Sequence, residues 1–265
     1  MIAVVRIYAL LAWAWTRAAA QYPLSFAVMT AAGFVTSGLD AAVIWVIFAN
    51  TRSLAGFGVA EVMFLYGASS LAFTIADLLF GNVDRISRHI RSGTLDVFLI
   101  RPVSPFVQVA VDQFVPHRVG RVVQGAVMLG LALSRLGVPP GRAWMIPVMV
   151  ASGIVIFAAL FALSGAVQFL LTGAPEVANA FTYGGAQLTQ YPLNVYGADL
   201  VRGVTYVLPL AFVNWQPGLY VLGREDPLGL PPLLRFLSPA AALALAGAAA
   251  LAWRAGIRRY RSTGS

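Results

Sequence analysis

The chain has no cysteine and no lysine, only two histidines, and charged residues make up 11% of its 265 positions. Each shortage removes a class of chemistry. Without cysteine there is no disulfide, no thiolate metal site and no thiol nucleophile. His89 and His117 are isolated, with no carboxylate and serine at an interpretable spacing, so neither a metal site nor a catalytic triad is expected. All 18 basic residues are arginines. The phosphate loop G-x-x-x-x-G-K-[ST] needs its lysine to reach the phosphates, so this chain cannot supply that nucleotide site.

What is present is apolar. Hydrophobic residues form 59% of the chain and the mean hydropathy is +0.79, which excludes an ordinary water-soluble domain and predicts an integral membrane protein. The net charge of +8 is accounted for by loops on the inner side of a membrane and by anionic lipid headgroups, so nucleic acid is not an expected partner whereas membrane lipid is. Six segments reach the length of about 20 residues that a hydrocarbon core requires: 23–49, 59–80, 119–137, 144–171, 198–217 and 233–253. Arg202 and Pro209 interrupt the fifth, and the stretch 176–197 competes with it. The predicted fold is therefore all-α, one membrane domain over 1–265 with no soluble domain. With the N-terminus inside, thirteen arginines fall on the inner side and five on the outer, which places both termini in the cytoplasm.

Two segments flank this plan. Residues 1–21 carry Arg6 and Arg17 around an apolar run followed by Ala18-Ala19-Ala20, a pattern shared by signal peptides and interfacial helices. Arg6, Trp13 and Arg17 return to one azimuth at about 100° per residue, which favours a helix lying on the membrane surface. Residues 216–232, rich in Pro and Gly with acidic residues among apolar ones, are expected to dip or cap on the outer side rather than form a regular helix.

Asp40, Glu61 and Asp77 fall inside predicted spans, where each acid costs about 2.5–3.5 kcal/mol near the mid-plane and so asks for a partner. Asp40 and Glu61 both lie toward the outer side. Two readings stand for them: an acid-lined exit for a cationic substrate, or pairing with Arg52 or headgroups. Asp77 is expected to cap its helix or pair with Arg85 or Arg88. Arg202 is read as snorkelling, and Leu163 to Gln168 (LSGAVQ) as a chance imitation of a nucleotide-sensing signature.

The longest polar connection is 81–117, and its first part, 81–105, gathers Arg85, Arg88, His89, Arg91 and Arg101 at a density matched only by the last dozen residues. Asn82 or Asp84 can cap a helix, Ile86 and Ile90 share one face, Arg85, Arg88 and Arg91 occupy the rest, and Gly93 suits a left-handed stop. Thr94 then opens a second turn to Ile100, ended by Arg101-Pro102, after which Pro105 keeps the chain extended. Such a cationic amphipathic helix fits two uses, resting on anionic lipid or docking in a groove of a soluble partner.

Gly93-Thr94-Leu95-Asp96, Leu99, Arg101-Pro102-Val103 and Gln108 resemble the loop of ABC-2 type transporter permeases. Tyr191-Pro192, Val207 to Pro209, Ala211-Phe212, Gln216-Pro217 and Leu222-Gly223 resemble a later region of the same family, and Arg258, Tyr260, Ser262, Thr263 and Gly264 its tail. Phe169-Leu170 departs from the Phe-Trp pair common there. The resemblance implies one half of a type-2 exporter in the plasma or inner membrane: six transmembrane helices, an N-terminal interface helix, a cytoplasmic coupling helix and a re-entrant outer segment. It implies two partners, a separate ABC ATPase subunit that binds the ATP and a second permease, either a copy or a sister chain. This chain would have no enzymatic activity or cofactor of its own. Arg85, Ile86, Arg88, Ile90 and Arg91 would form the ATPase-docking face, Gly93, Asp96, Arg101 and Pro102 would fix the loop, and Asp40 and Glu61 would line the path of an exported cationic or amphiphilic compound. The competing classes are a membrane-embedded lipid-modifying enzyme, which would need acids or histidines converging at one interface, and a secondary transporter, whose internal repeats are not visible.

Overall fold

Helix boundaries follow the breaker residues of the sequence, in a computed structural model that describes residues 2–170 and 175–260. The α-helices are α1 (Ile2–Ala20), α2 (Pro23–Asn50), α3 (Val59–Phe80), α4 (Ile86–Arg91), α5 (Thr94–Ile100), α6 (Pro105–Val111) and α7 (Val119–Leu136), followed by α8 (Pro140–Ala143), α9 (Met145–Gln168), α10 (Pro175–Thr189), α11 (Ala198–Tyr206), α12 (Trp215–Leu222) and α13 (Ser238–Arg259). The described residues contain no strand, only one isolated antiparallel bridge between Leu54 and Phe57. Tyr22, before Pro23, sits outside the helical region at φ −119° and ψ 69°, as the clash with a following proline ring requires. The axes of α1 and α2 consequently meet at 106°.

Four continuous helical stretches are long and apolar enough to cross a membrane, Val59–Arg91, Pro116–Leu136, Pro140–Gln168 and Ser238–Arg259, and the bent pair formed by α1 and α2 makes up to five. α3 and α9 lie at the centre, with α7 against α3, α13 against α9, and α10 touching both central helices. Tyr66, Phe64, Phe157, Phe161 and Trp215 are fully buried between them. The α3–α7 crossing is close in both directions. A β-carbon on Gly67 would fall 2.6 Å from the Leu129 nitrogen, and one on Gly125 would fall 2.9 Å from the Leu71 nitrogen. Small residues at such a crossing let dispersion packing replace the hydrophobic effect that is absent between helices in lipid.

The span expected at 198–217 is not one helix. α11 stops at Tyr206, a 3-10 turn covers Leu210–Phe212, and α12 starts only at Trp215. Pro209 has no N–H for the helical ladder, and the broken backbone is repaired by Asn214. Its buried amide donates to the carbonyl of Leu65 on α3 and to that of Thr189 at the end of α10. Non-helical backbone inside a membrane protein needs such internal partners. The stretch 176–197, read as a competitor, carries most of α10. The expectation of irregular structure from 216 also fails at its start, because α12 is a regular helix and almost wholly buried. Pro217 lies in its first turn, where a missing N–H costs nothing.

Candidate functional site

The stretch 81–117 folds into a compact cap on one end of the bundle. α3 passes into a 3-10 turn over Gly81–Arg85 and then into α4, Gly93 reverses the chain at φ 69°, and α5 and α6 fold back alongside. That positive φ is the left-handed region expected of a glycine stop. Pro105 does not keep the chain extended. It occupies the first turn of α6, where its fixed φ suits helix entry.

Burial divides the loop into two faces. Ile86 is 0% exposed and Ile90 4%, packed with Val83, Leu95, Val109, Ala110 and Trp253. These two isoleucines therefore face the chain's own core rather than an outside partner, which corrects their assignment to a docking face. The physical reason is that an amphipathic helix of six residues buries its one apolar stripe wherever the nearest apolar surface is, and α13 and α6 provide it. Arg85, Arg88 and Arg91 remain exposed. The apolar part of the outer surface comes instead from α5, where Val97 and Ile100 are 44% and 83% exposed.

Three amide side chains hold the cap by bonding main-chain groups. Gln168, fully buried at the end of α9, donates from Nε2 to the Asp84 carbonyl at 2.6 Å and accepts from the Ser87 amide at Oε1 at 3.1 Å. It thereby clamps the junction between the 3-10 turn and α4. Asn82 does not cap a helix: its Nδ2 donates to the Asp112 carbonyl at 2.8 Å. Gln108 donates to the carbonyls of Phe98 and Val103, both at 2.8 Å, and so spans the turn that contains Arg101 and Pro102. His89 has partners after all, with Nδ1 3.0 Å from Thr94 Oγ1 and Nε2 3.5 Å from Asp112 Oδ2. Among the residues expected to fix the loop, Gly93 carries the left-handed turn between α4 and α5. Asp96 faces the Tyr260 hydroxyl beyond α13, and burial followed by that acid pushes the tyrosine above its usual pKa. Arg101 is exposed, with its guanidinium 6.0 Å from the Phe98 ring centre. α1 reaches the same end through the Tyr8 hydroxyl, which donates to the Leu79 carbonyl at 2.7 Å.

Beneath the cap lies a buried ion network. Asp77 has a side chain 1% exposed and meets Arg118 Nη1 at 3.3 Å and Arg121 Nη2 at 2.9 Å. Arg118 also donates to the Asp77 carbonyl at 2.7 Å, and the Tyr183 hydroxyl of α10 donates to Asp77 Oδ1 at 3.4 Å. The expected partners Arg85 and Arg88 are not used. The 3-10 turn advances three residues per turn instead of 3.6, and it leaves both arginines on the outer surface while Asp77 looks into the α3–α7 crossing. The turn starts at Gly81, where a β-carbon would collide with the Asp77 carboxylate and the Arg118 guanidinium.

At the opposite end Glu61 is paired with neither Arg52 nor an open vestibule. Arg224 binds it bidentately, Nε to Oε1 at 2.8 Å and Nη2 to Oε2 at 2.7 Å, and these bonds push the guanidinium pKa above its usual value. Glu61 Oε2 also accepts from the Gly58 amide at 2.8 Å and so satisfies one free donor at the start of α3. The guanidinium lies 5.1 Å from the Phe57 ring centre. Asp40 is on α2, and its side chain is outside the described residues, as are Ser262, Thr263 and Gly264. Arg202 is exposed beside Asp199 at 3.6 Å.

Sequence reasoning missed Gln168, Arg118 and Tyr183. A signal existed for Arg118, since Arg118 and Arg121 stand three apart on one helical face and Asp77 was an intramembrane acid lacking a local partner. Gln168 and Gly165, dismissed within LSGAVQ, form the seat of the loop: a β-carbon on Gly165 would fall 2.8 Å from the Val83 side chain and 2.9 Å from Trp253. A family model described as "ABC-2 family transporter protein" matches residues 34–264. No curated protein and no solved structure matches the chain.

Proposed function

The chain belongs to the ABC-2 family of transporter proteins, and from that membership, which makes it a permease of an ABC transporter, we propose that it forms the translocation path of an ATP-driven exporter. A separate ATPase subunit docks on the cap at residues 81–117, on the cytoplasmic side of the plasma or inner membrane, with both termini on that side. A second permease, a copy or a sister chain, completes the path. The observation that carries this reading is the division of the cap into two faces. Arg85, Arg88 and Arg91 are exposed, as are Val97 and Ile100 on α5, while the opposite face is bonded to the spans.

The same geometry describes how force would travel. Displacement of α4 by a docked ATPase pulls on Gln168 and hence on the end of α9, because the Ser87 and Asp84 main-chain groups have no slack in a clamp of 2.6 and 3.1 Å. Trp253 carries the same displacement into α13 through the cluster it shares with Val83 and Ile86. The exported compound we propose is amphiphilic. The case for a cation rests on Asp40 alone, since Glu61 is neutralised by Arg224.

Co-expression with a candidate ABC ATPase subunit from the same genome provides the test. Replacing Arg85, Arg88 and Arg91 together by alanine is expected to abolish co-purification of that ATPase while the unfolding midpoint of the permease stays unchanged, because exposed charges contribute about 0–1 kcal/mol. Undiminished co-purification overturns the docking assignment.

A further inference from the structure

A groove of about 410 Å³ runs between α9 and α13, on a surface separate from the exposed arginines of α4. Its walls are Ile154, Ala158 and Ala162 on α9 and Ala246 and Ala250 on α13. Its floor is aromatic, made of Phe80, Phe106 and Trp253, with the Phe106 and Trp253 rings edge to face at 5.0 Å. A single charged side chain lines it. Arg254 stands at the end nearest the cap, exposed and without an ion-pair partner among the described residues.

We propose that this groove binds one anionic phospholipid, an acyl chain lying along the alanines and the phosphate paired with Arg254. Both wall helices belong to stretches able to cross a membrane, and Val155 and Ala250 in the lining are exposed, a setting in which acyl chains are the molecules of matching chemistry. Its volume is in the range of about 300–1,000 Å³ that small-molecule sites occupy. A lone arginine at the end of an apolar slot, beside a tryptophan, sits as guanidinium and indole do at headgroup depth, and its charge selects an anionic over a zwitterionic headgroup. The site also has a consequence for the cap. Phe80, Phe106 and Trp253 pack against the cluster that contains Val83, Ile86 and Ile90, so a chain in the groove bears on the seat of α4 from below. This inference is independent of ATPase docking and stands if that reading fails.

Native mass spectrometry tests it on the full chain, released from nanodiscs of equal parts phosphatidylglycerol and phosphatidylcholine. The wild type is expected to retain one phosphatidylglycerol per chain. Arg254→Gln, at an exposed position, lowers that retention by about tenfold or more through loss of one charge-assisted contact, and Ala250→Phe, also exposed, does so by filling the slot. Arg259→Gln removes the same charge from the same helix but from a different groove of about 160 Å³, and leaves retention unchanged. Ala158→Leu repeats the filling test should Ala250→Phe shift the unfolding midpoint. Equal retention of the two lipids overturns the proposal, as does equal loss in Arg254→Gln and Arg259→Gln, or unchanged retention in Arg254→Gln. Release of the lipid by inorganic phosphate alone, or a lipid-free dimer in which a second copy covers the groove, overturns it as well.

Discussion

At the cap end of the bundle a carboxylate with a side chain 1% exposed faces two arginines, 7% and 32% exposed; at the other end Glu61 and Arg224 pair with side chains 15% and 44% exposed. The two sites have the same chemistry and comparable distances. Their energetics differ through water. A buried charge whose partner is removed has no solvent to replace it, whereas an exposed one is rehydrated at little cost. The cap end is also tied by neutral amides to main-chain groups of three elements, while Glu61 itself is held by one bidentate pair and the Gly58 amide. The proposed coupling therefore favours the cap end, whose bonds reach α9 directly.

The largest effect is expected from Asp77→Asn, which leaves Arg118 and Arg121 as uncompensated charge. It should lower stability by about 3–5 kcal/mol, read as the unfolding midpoint from the fluorescence of the six tryptophans; a loss under about 1 kcal/mol would make the two ends equivalent. Next is Gln168→Leu, which strands the buried Ser87 amide and Asp84 carbonyl. About 1–3 kcal/mol is expected, and with it a loss of ATPase stimulation larger than the loss of ATPase binding. Equal losses in both would mean that the clamp holds the docking face instead of transmitting through it. The smallest is Glu61→Gln, expected to cost about 0.2–1 kcal/mol and to be partly masked by high salt in the wild type. A cost above about 2 kcal/mol would show that this end is as firmly locked as the cap.

Much of the cap was legible because its breakers act locally. Gly93 reverses the chain, Thr94 to Ile100 form the second helix, and the motif from Gly93 to Gln108 carries the family resemblance. The roles inside it were not legible in the same way. Ile86 and Ile90 form an apolar stripe under any reading, but whether that stripe faces a partner or the chain's own core depends on α13, more than 140 residues away. Gln108 belonged to the motif without an assigned task, and its task is set by two carbonyls that only the folded turn brings to one point. Asp77 carried a clear demand for a partner, yet nearness in sequence pointed to Arg85 and Arg88. The intervening 3-10 turn changed the azimuth and gave the acid to Arg118 and Arg121.

The sequence by itself determined that the chain is a helical membrane protein of the ABC-2 family, that it lacks the lysine-bearing phosphate loop, and that its chief polar loop is cationic, because composition, length and breaker residues act without regard to distant neighbours. Tertiary structure alone decided which face of that loop is buried, which acids are neutralised, and that residues 198–217 break into separate helices repaired by Asn214. Those outcomes depend on burial and on hydrogen bonds between residues far apart in the chain, and a buried polar group takes whatever partner the packing brings within reach.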